Sequence, residues 1–110
     1  MRLHLIETVN EIHPTNLAAR AFSSSCWRMN AKTAEQLIGH EVFFHKRQRA
    51  PSHFGGRITD YEVLPADHAC AGRVVLHFVL TDSSAGKGVL ANRAPWGREK
   101  ALIRDLRQAA

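Results

Sequence analysis

The part of the chain best equipped for chemistry is His45-Lys46-Arg47-Gln48-Arg49-Ala50-Pro51-Ser52-His53-Phe54-Gly55-Gly56-Arg57. It gathers four permanent cations, two histidines, one aromatic ring and two glycines between two apolar runs. Flexible basic side chains and the bare N–H groups of glycines both suit phosphate oxygens. Pro51 stiffens the segment, and Phe54 offers a ring face to a base. The stretch also exceeds the ~2–5 residues of an ordinary hairpin loop. These features make Arg47, Arg49, Phe54 and Arg57 candidates for a nucleic-acid contact. The plain alternative is a solvated connection that happens to be basic.

Two tryptophans stand beside arginines, in Trp27-Arg28 and in Trp96-Gly97-Arg98. A ring and a guanidinium together can hold an extruded base, one by stacking and the other by charge. Ser24 and Ser25, just before Trp27, would add hydroxyls at the base edge. A single tryptophan is more often a core residue than a platform, and serines also cap the ends of elements. Lys87, in the polar loop Asp82 to Gly88, is a further basic contact. That loop lacks both the first glycine and the Ser/Thr after the lysine that a nucleotide-hydrolysing loop requires.

Other chemistries find less support. The seven histidines form no His-Glu-x-x-His pattern, and Cys26 and Cys70 form no Cys-x-x-Cys, so neither a metal site nor a cofactor is expected. There is no Gly-x-Ser-x-Gly elbow, and the acids are too scattered to read as a catalytic carboxylate pair. Lys46, Lys87, Thr33 and Glu35 are available for an enzyme, but no spacing ties them together.

Whatever the site, a single domain must position it, because the chain has 110 residues and one core of that size needs no staples. Lys and Arg number 15 against 10 Asp and Glu, a formal charge of +5, and 11 of the 15 are arginine. That excess favours a polyanionic partner. No apolar run reaches the ~18 residues of a membrane span, and residues 1–7 do not read as a signal peptide. A cytoplasmic protein with two reduced, partly buried thiols is therefore expected, with a single disulfide between Cys26 and Cys70 as the alternative.

The hydrophobic pattern supplies the elements. Residues 2–9 read as a strand. Pro14 opens a short helix whose apolar face is Leu17, Ala18, Ala21 and Phe22. Thr33-Ala34-Glu35-Gln36 has capping-box spacing and Gly39 follows as a stop, predicting a helix over 34–38. Glu41 to His45 is an interior strand. Gly55-Gly56 forms a turn or bulge into a strand over 57–64. Arg73 to Thr81 alternates most clearly, with Val74, Leu76, Phe78 and Leu80 on one face. A helix is expected from about Gly97, with Leu102, Ile103 and Leu106 inward. Short Gly-containing connections favour a mixed or antiparallel sheet curled into a small barrel, an α+β fold.

The run from Thr33 to Leu64 resembles the PUA-like superfamily, especially its EVE and ASCH branches. The residues that carry the likeness are the helix ending in Gly39, the strand Glu41-Val42-Phe43-Phe44-His45, and the glycine-led Gly55-Gly56-Arg57-Ile58-Thr59-Asp60-Tyr61-Glu62-Val63. The likeness extends over residues 1–81. It implies a pseudobarrel of five to six strands with two to three flanking helices, binding RNA or a modified base in DNA. It further implies an aromatic-lined cleft between barrel and helices, in the region of Trp27 and its serines. Trp96 and the C-terminal segment lie beyond it. The expected function is thus a nucleic-acid-binding module that reads a base. A small amidohydrolase acting on modified nucleosides and a protein-interaction barrel are the alternatives.

Overall fold

The computed structural model describes residues 2–8, 11–82 and 84–90, together with the backbone of 100–103. The strands are β1 (Arg2–Ile6), β2 (Ile12–Asn16), β3 (Ala21–Trp27), β4 (Glu41–His45), β5 (Ser52–Val63), β6 (Val74–Val79) and β7 (Lys100–Ile103), with a helix α1 (Ala31–Leu37) between β3 and β4. They form one mixed sheet in the order β2-β3-β6-β5-β4-β1, with β7 on the outer edge of β1. Among the described pairings, β1 with β4 is the parallel one. No described pairing joins β2 to β7, so the sheet is not closed into a barrel. The α+β class agrees with the sequence reading.

The twelve residues of β5 hold the sheet together by changing partner along their length. Ser52 to Arg57 pair with β4, and Arg57 to Val63 pair with β6. Gly55 and Gly56 are interior to this strand and form no turn. Their reason is close approach: a Cβ on Gly55 would stand 2.5 Å from the Val42 carbonyl oxygen, and one on Gly56 2.3 Å from that of Val79. Backbone atoms cannot yield as a flexible side chain can, so Gly56→Ala is expected to destabilise by about 1–3 kcal/mol, the usual range for overpacking. Urea unfolding checks this, and unaltered stability would show that β5 and β6 can spread apart there.

Alternation builds the core as the sequence suggests as far as Phe78. Val74, Leu76 and Phe78 are fully buried, with Leu3, Leu5, Val42, Phe44 and Ile58 from the neighbouring strands, whereas Leu80 lies past the end of β6 and is only partly buried against them. Phe44 and Phe78 pack ring to ring, with centroids 5.2 Å apart. Helix α1 adds Ala34 and Leu37 to the same cluster. Its cap is Asn30, whose side chain accepts the Thr33 N–H at 2.8 Å. Thr33 is therefore inside the helix and does not cap it.

Two expected helices are corrected. The segment opened by Pro14 is a β-hairpin, with β2 paired antiparallel to β3. The Asn16 side chain accepts the Ala19 N–H at 3.1 Å, Arg20 N–H donates to the Leu17 carbonyl at 3.0 Å, and Arg20 takes a φ of 56°. These contacts close a tight turn, and Leu17, assigned to a buried helix face, is 71% exposed at its tip. At the other end, residues 100–103 pair antiparallel with β1 and are a strand; the rest of the expected C-terminal helix lies outside the described residues. Among the described residues α1 is the one helix, in place of two or three. No helix among them is long and apolar enough to cross a membrane.

Candidate functional site

The candidate site grows from the end of β1. There the Glu7 N–H donates to the His45 carbonyl at 2.8 Å, continuing the parallel pairing one step beyond Ile6. Glu7 is 3% exposed. Its carboxylate accepts the Glu11 N–H at 3.1 Å, next to the start of β2. The Glu11 carbonyl in turn accepts the Ser25 N–H at 3.3 Å, tying Glu11 to β3.

Two cavities meet at Glu7. The larger, of about 650 Å³, lies between residues 6–8 and Glu11, the end of β3, the start of β6 and the 64–73 turn. Its polar wall includes Glu7, Ser23, Ser25 and Arg73. The smaller, of about 360 Å³, has Phe22, His53, Phe54 and Lys87 around it. Both volumes suit a small-molecule or nucleobase pocket.

Strand chemistry explains who faces where. Ser24 pairs with Leu76 and shares its buried face, whereas Ser23 pairs with His77 on the other. The register then shifts between Ser24 and Trp27, where β3 meets the start of β6 through Trp27 and Val74; the Ser25–Cys26 peptide in this stretch is cis. The shift brings Ser25, Cys26 and Trp27 all to the larger cavity. Trp27 is 5% exposed and packs at 6.3 Å from the Phe44 ring. Its indole N–H donates to Ser24 Oγ at 2.9 Å. It is therefore a wall of the cavity and a member of the core, with its polar edge already engaged.

In the smaller cavity Phe54 meets Phe22 edge to face at 5.1 Å and Phe78 at 5.9 Å. The His53 ring donates from Nε2 to the Glu7 carbonyl at 3.2 Å. Burial lowers the His53 pKa, against the opposing pull of that carbonyl. Lys87 is held there by a clasp on Ser52. The Ser52 hydroxyl donates to the Gly86 carbonyl and accepts the Val89 N–H at 2.9 Å, while Gly88 N–H donates to the Ser52 carbonyl at 2.8 Å. Gly86 has a φ of 70° and lies so close to Gly55 that a Cβ would fall 2.5 Å from its Cα.

The expected site residues are thus divided. Ser25 and Trp27 line the larger cavity, Phe54 and Lys87 the smaller, and Ser24 is buried behind Trp27. Arg28 is exposed and lines neither. Arg47 and Arg49 ride the exposed turn between β4 and β5. Arg57 is exposed opposite Glu41, at the far end of that hairpin. Five strand steps from Ser52 to Arg57 span roughly 17 Å, so the basic stretch is two patches, not one surface. Trp96 lies outside the described residues.

Sequence reasoning missed Glu7 and Arg73, counted His53 in the basic stretch without giving it a role, and placed Phe22 on a helix. Glu7 leaves one signal, an acid at the end of an apolar strand. Arg73 leaves none, because long-range pairing alone brings it in. Lys46, Thr33 and Glu35 line neither cavity, and no group of three or more metal-ligating side chains forms among the described residues. The chain matches no family model, no curated protein and no solved structure, so the reading of the site rests on this geometry and on the sequence.

Proposed function

We propose that this chain is a nucleic-acid-binding module of PUA-like type that takes a base of RNA or DNA, modified or not, into the cleft at Glu7. On this reading the sheet, in which β5 pairs with β4 over one part and with β6 over the other, is the working part of a pseudobarrel. The two half-buried thiols suit a cytoplasmic setting. The observation that carries the reading is the pairing of two unlike cavities at one carboxylate. One arm offers aromatic rings and a lysine, and the other offers hydroxyls, a guanidinium and carboxylates. Stacking on a ring is tolerant of base identity, whereas a polar pocket discriminates strongly between ligands that do and do not match its donors and acceptors. Arg47 and Arg49, on the turn that follows β4, supply the phosphate contacts.

The test is binding of single-stranded RNA and DNA oligonucleotides and of free nucleosides, followed by fluorescence and across a salt series. Phe54→Ala is expected to weaken oligonucleotide binding by about 1–3 kcal/mol, the value of one stacking face, with its melting temperature measured alongside. The Arg47→Ala, Arg49→Ala double variant should lower the slope of log K against log salt by about 0.7–0.9 for each phosphate that the arginines neutralise in the wild type. Wild-type protein that binds neither nucleosides nor oligonucleotides would overturn the proposal.

A further inference from the structure

Cys26 and Cys70 are 44 positions apart in sequence, yet both line the larger cavity. Topology brings them together. Trp27 pairs with Val74, so Cys26 arrives beside the start of β6. Cys70 sits in the turn that leads into that strand. Arg73 N–H donates to the Cys70 carbonyl at 3.0 Å, Cys70 N–H donates to His68 Nδ1 at 2.9 Å, and the turn is closed by hydrogen bonds between Leu64, Gly72 and Arg73. The two thiols are neighbours at one wall of the cavity, with Arg73 beside them. Both cysteines are free and half-buried, open to small reagents from the cavity side.

We infer that Cys26 and Cys70 are a redox pair that closes to an intramolecular disulfide across the wall of the larger cavity when a peroxide is present. The step is balanced as two thiols and one hydrogen peroxide giving one disulfide and two waters. One thiolate attacks a peroxide oxygen, the O–O bond breaks, and a sulfenic acid and hydroxide form. The second sulfur then attacks the first, the S–S bond forms, and the hydroxyl of the sulfenic acid leaves as water. The Cys26 thiol is held above its ordinary pKa, first by the neighbouring Cys70 thiol and then by burial. Closure is therefore expected to quicken as pH rises. A thiol reductant returns the pair to its open form.

The consequence is mechanical. A bond from β3 to the 65–72 turn fixes the rim of the cavity, which in the reduced protein is held by turn hydrogen bonds. This inference does not depend on the ligand proposed for the cavity.

The experiment treats the full chain with a few equivalents of hydrogen peroxide. The expected product is a monomer about 2 Da lighter that has lost both free thiols and in which peptide mapping joins Cys26 to Cys70. A reductant restores it. Closing so long a loop should raise the melting temperature by roughly 10 °C, and neither Cys26→Ser nor Cys70→Ser should show that rise on oxidation. Oxygen adducts on separate cysteines, or disulfide-linked dimers in place of the internal bond, would overturn the inference. So would two thiols that persist under conditions where free cysteine is consumed.

Discussion

Trp27→Ala is expected to cost about 3–5 kcal/mol of stability, the range for truncating a buried aromatic residue to alanine. The ring is walled in by Phe44 and the core, and removing it also strips Ser24 Oγ of its buried donor. A loss of that size is a large fraction of the stability of a domain this small. Urea unfolding at neutral pH measures it directly. A loss below about 1 kcal/mol would show the site collapsing without penalty and the indole acting as a replaceable lining. Trp27→Phe separates the two parts of the effect, since it keeps most of the packing and loses the hydrogen bond.

The second large effect is a loss of stability in mild acid, centred on His4. His4 and His45 are fully buried on adjacent parallel strands, with His4 Nδ1 and His45 Nε2 2.8 Å apart. The Ala50 carbonyl, 2.8 Å from His45 Nδ1, can only accept, so His45 carries its proton on Nδ1. Its Nε2 then accepts from His4. Burial, followed by the proximity of His45 and Arg2, lowers the His4 pKa from 6.5 to about 4. The unfolded chain therefore binds a proton near pH 6.5 that the folded chain refuses until about pH 4. Stability is complete above pH 6.5 and falls as the pH drops through that window, by about 3 kcal/mol when the loss is finished. His53, also lowered by burial, acts in the same direction. The measurement is unfolding free energy at intervals from pH 7.5 to 4 for the wild type and His4→Gln. The variant should show a flatter curve; parallel curves would assign the acid loss to other groups.

The sequence reveals β6 plainly because burial there follows a strict local period, with Val74, Leu76 and Phe78 alternating with less buried neighbours. It reveals β4 by the opposite sign, a run apolar on both faces, and Val42, Phe43, Phe44 and His45 are all buried. It also reveals α1, through the Thr33-x-x-Gln36 spacing and Gly39, but starts it three residues late, because Asn30 and not Thr33 is the cap. The hairpin at 12–27 is hidden because a few apolar residues in so short a window fit a helix as well as a strand. What decides it is pairing of β3 with β6, some fifty positions away. Gly55-Gly56 reads as a turn for a similar reason: glycine signals freedom, while the demand here is for space beside the carbonyls of Val42 and Val79. Of the candidate site, Ser25, Trp27, Phe54 and Lys87 are legible as residue types. Their division between two cavities is not, because Glu7 joins them through contacts no local pattern records.

The parallel pairing of β1 with β4 has a consequence for synthesis. β1 is made early, but its partner runs from Glu41 to His45, and the strand that completes the central sheet ends at Val79. At about 5–20 residues per second, β1 waits roughly 4–15 s before β6 has been polymerised. Hairpins such as β2–β3 and β4–β5 can close meanwhile from neighbouring sequence. Leu3 and Leu5, buried in the finished domain, have no strand to pair with until β4 follows, roughly 2–8 s after β1 at that rate, and no complete core until β6. Slower translation between β1 and β6 therefore lengthens the time that this apolar strand stays uncovered.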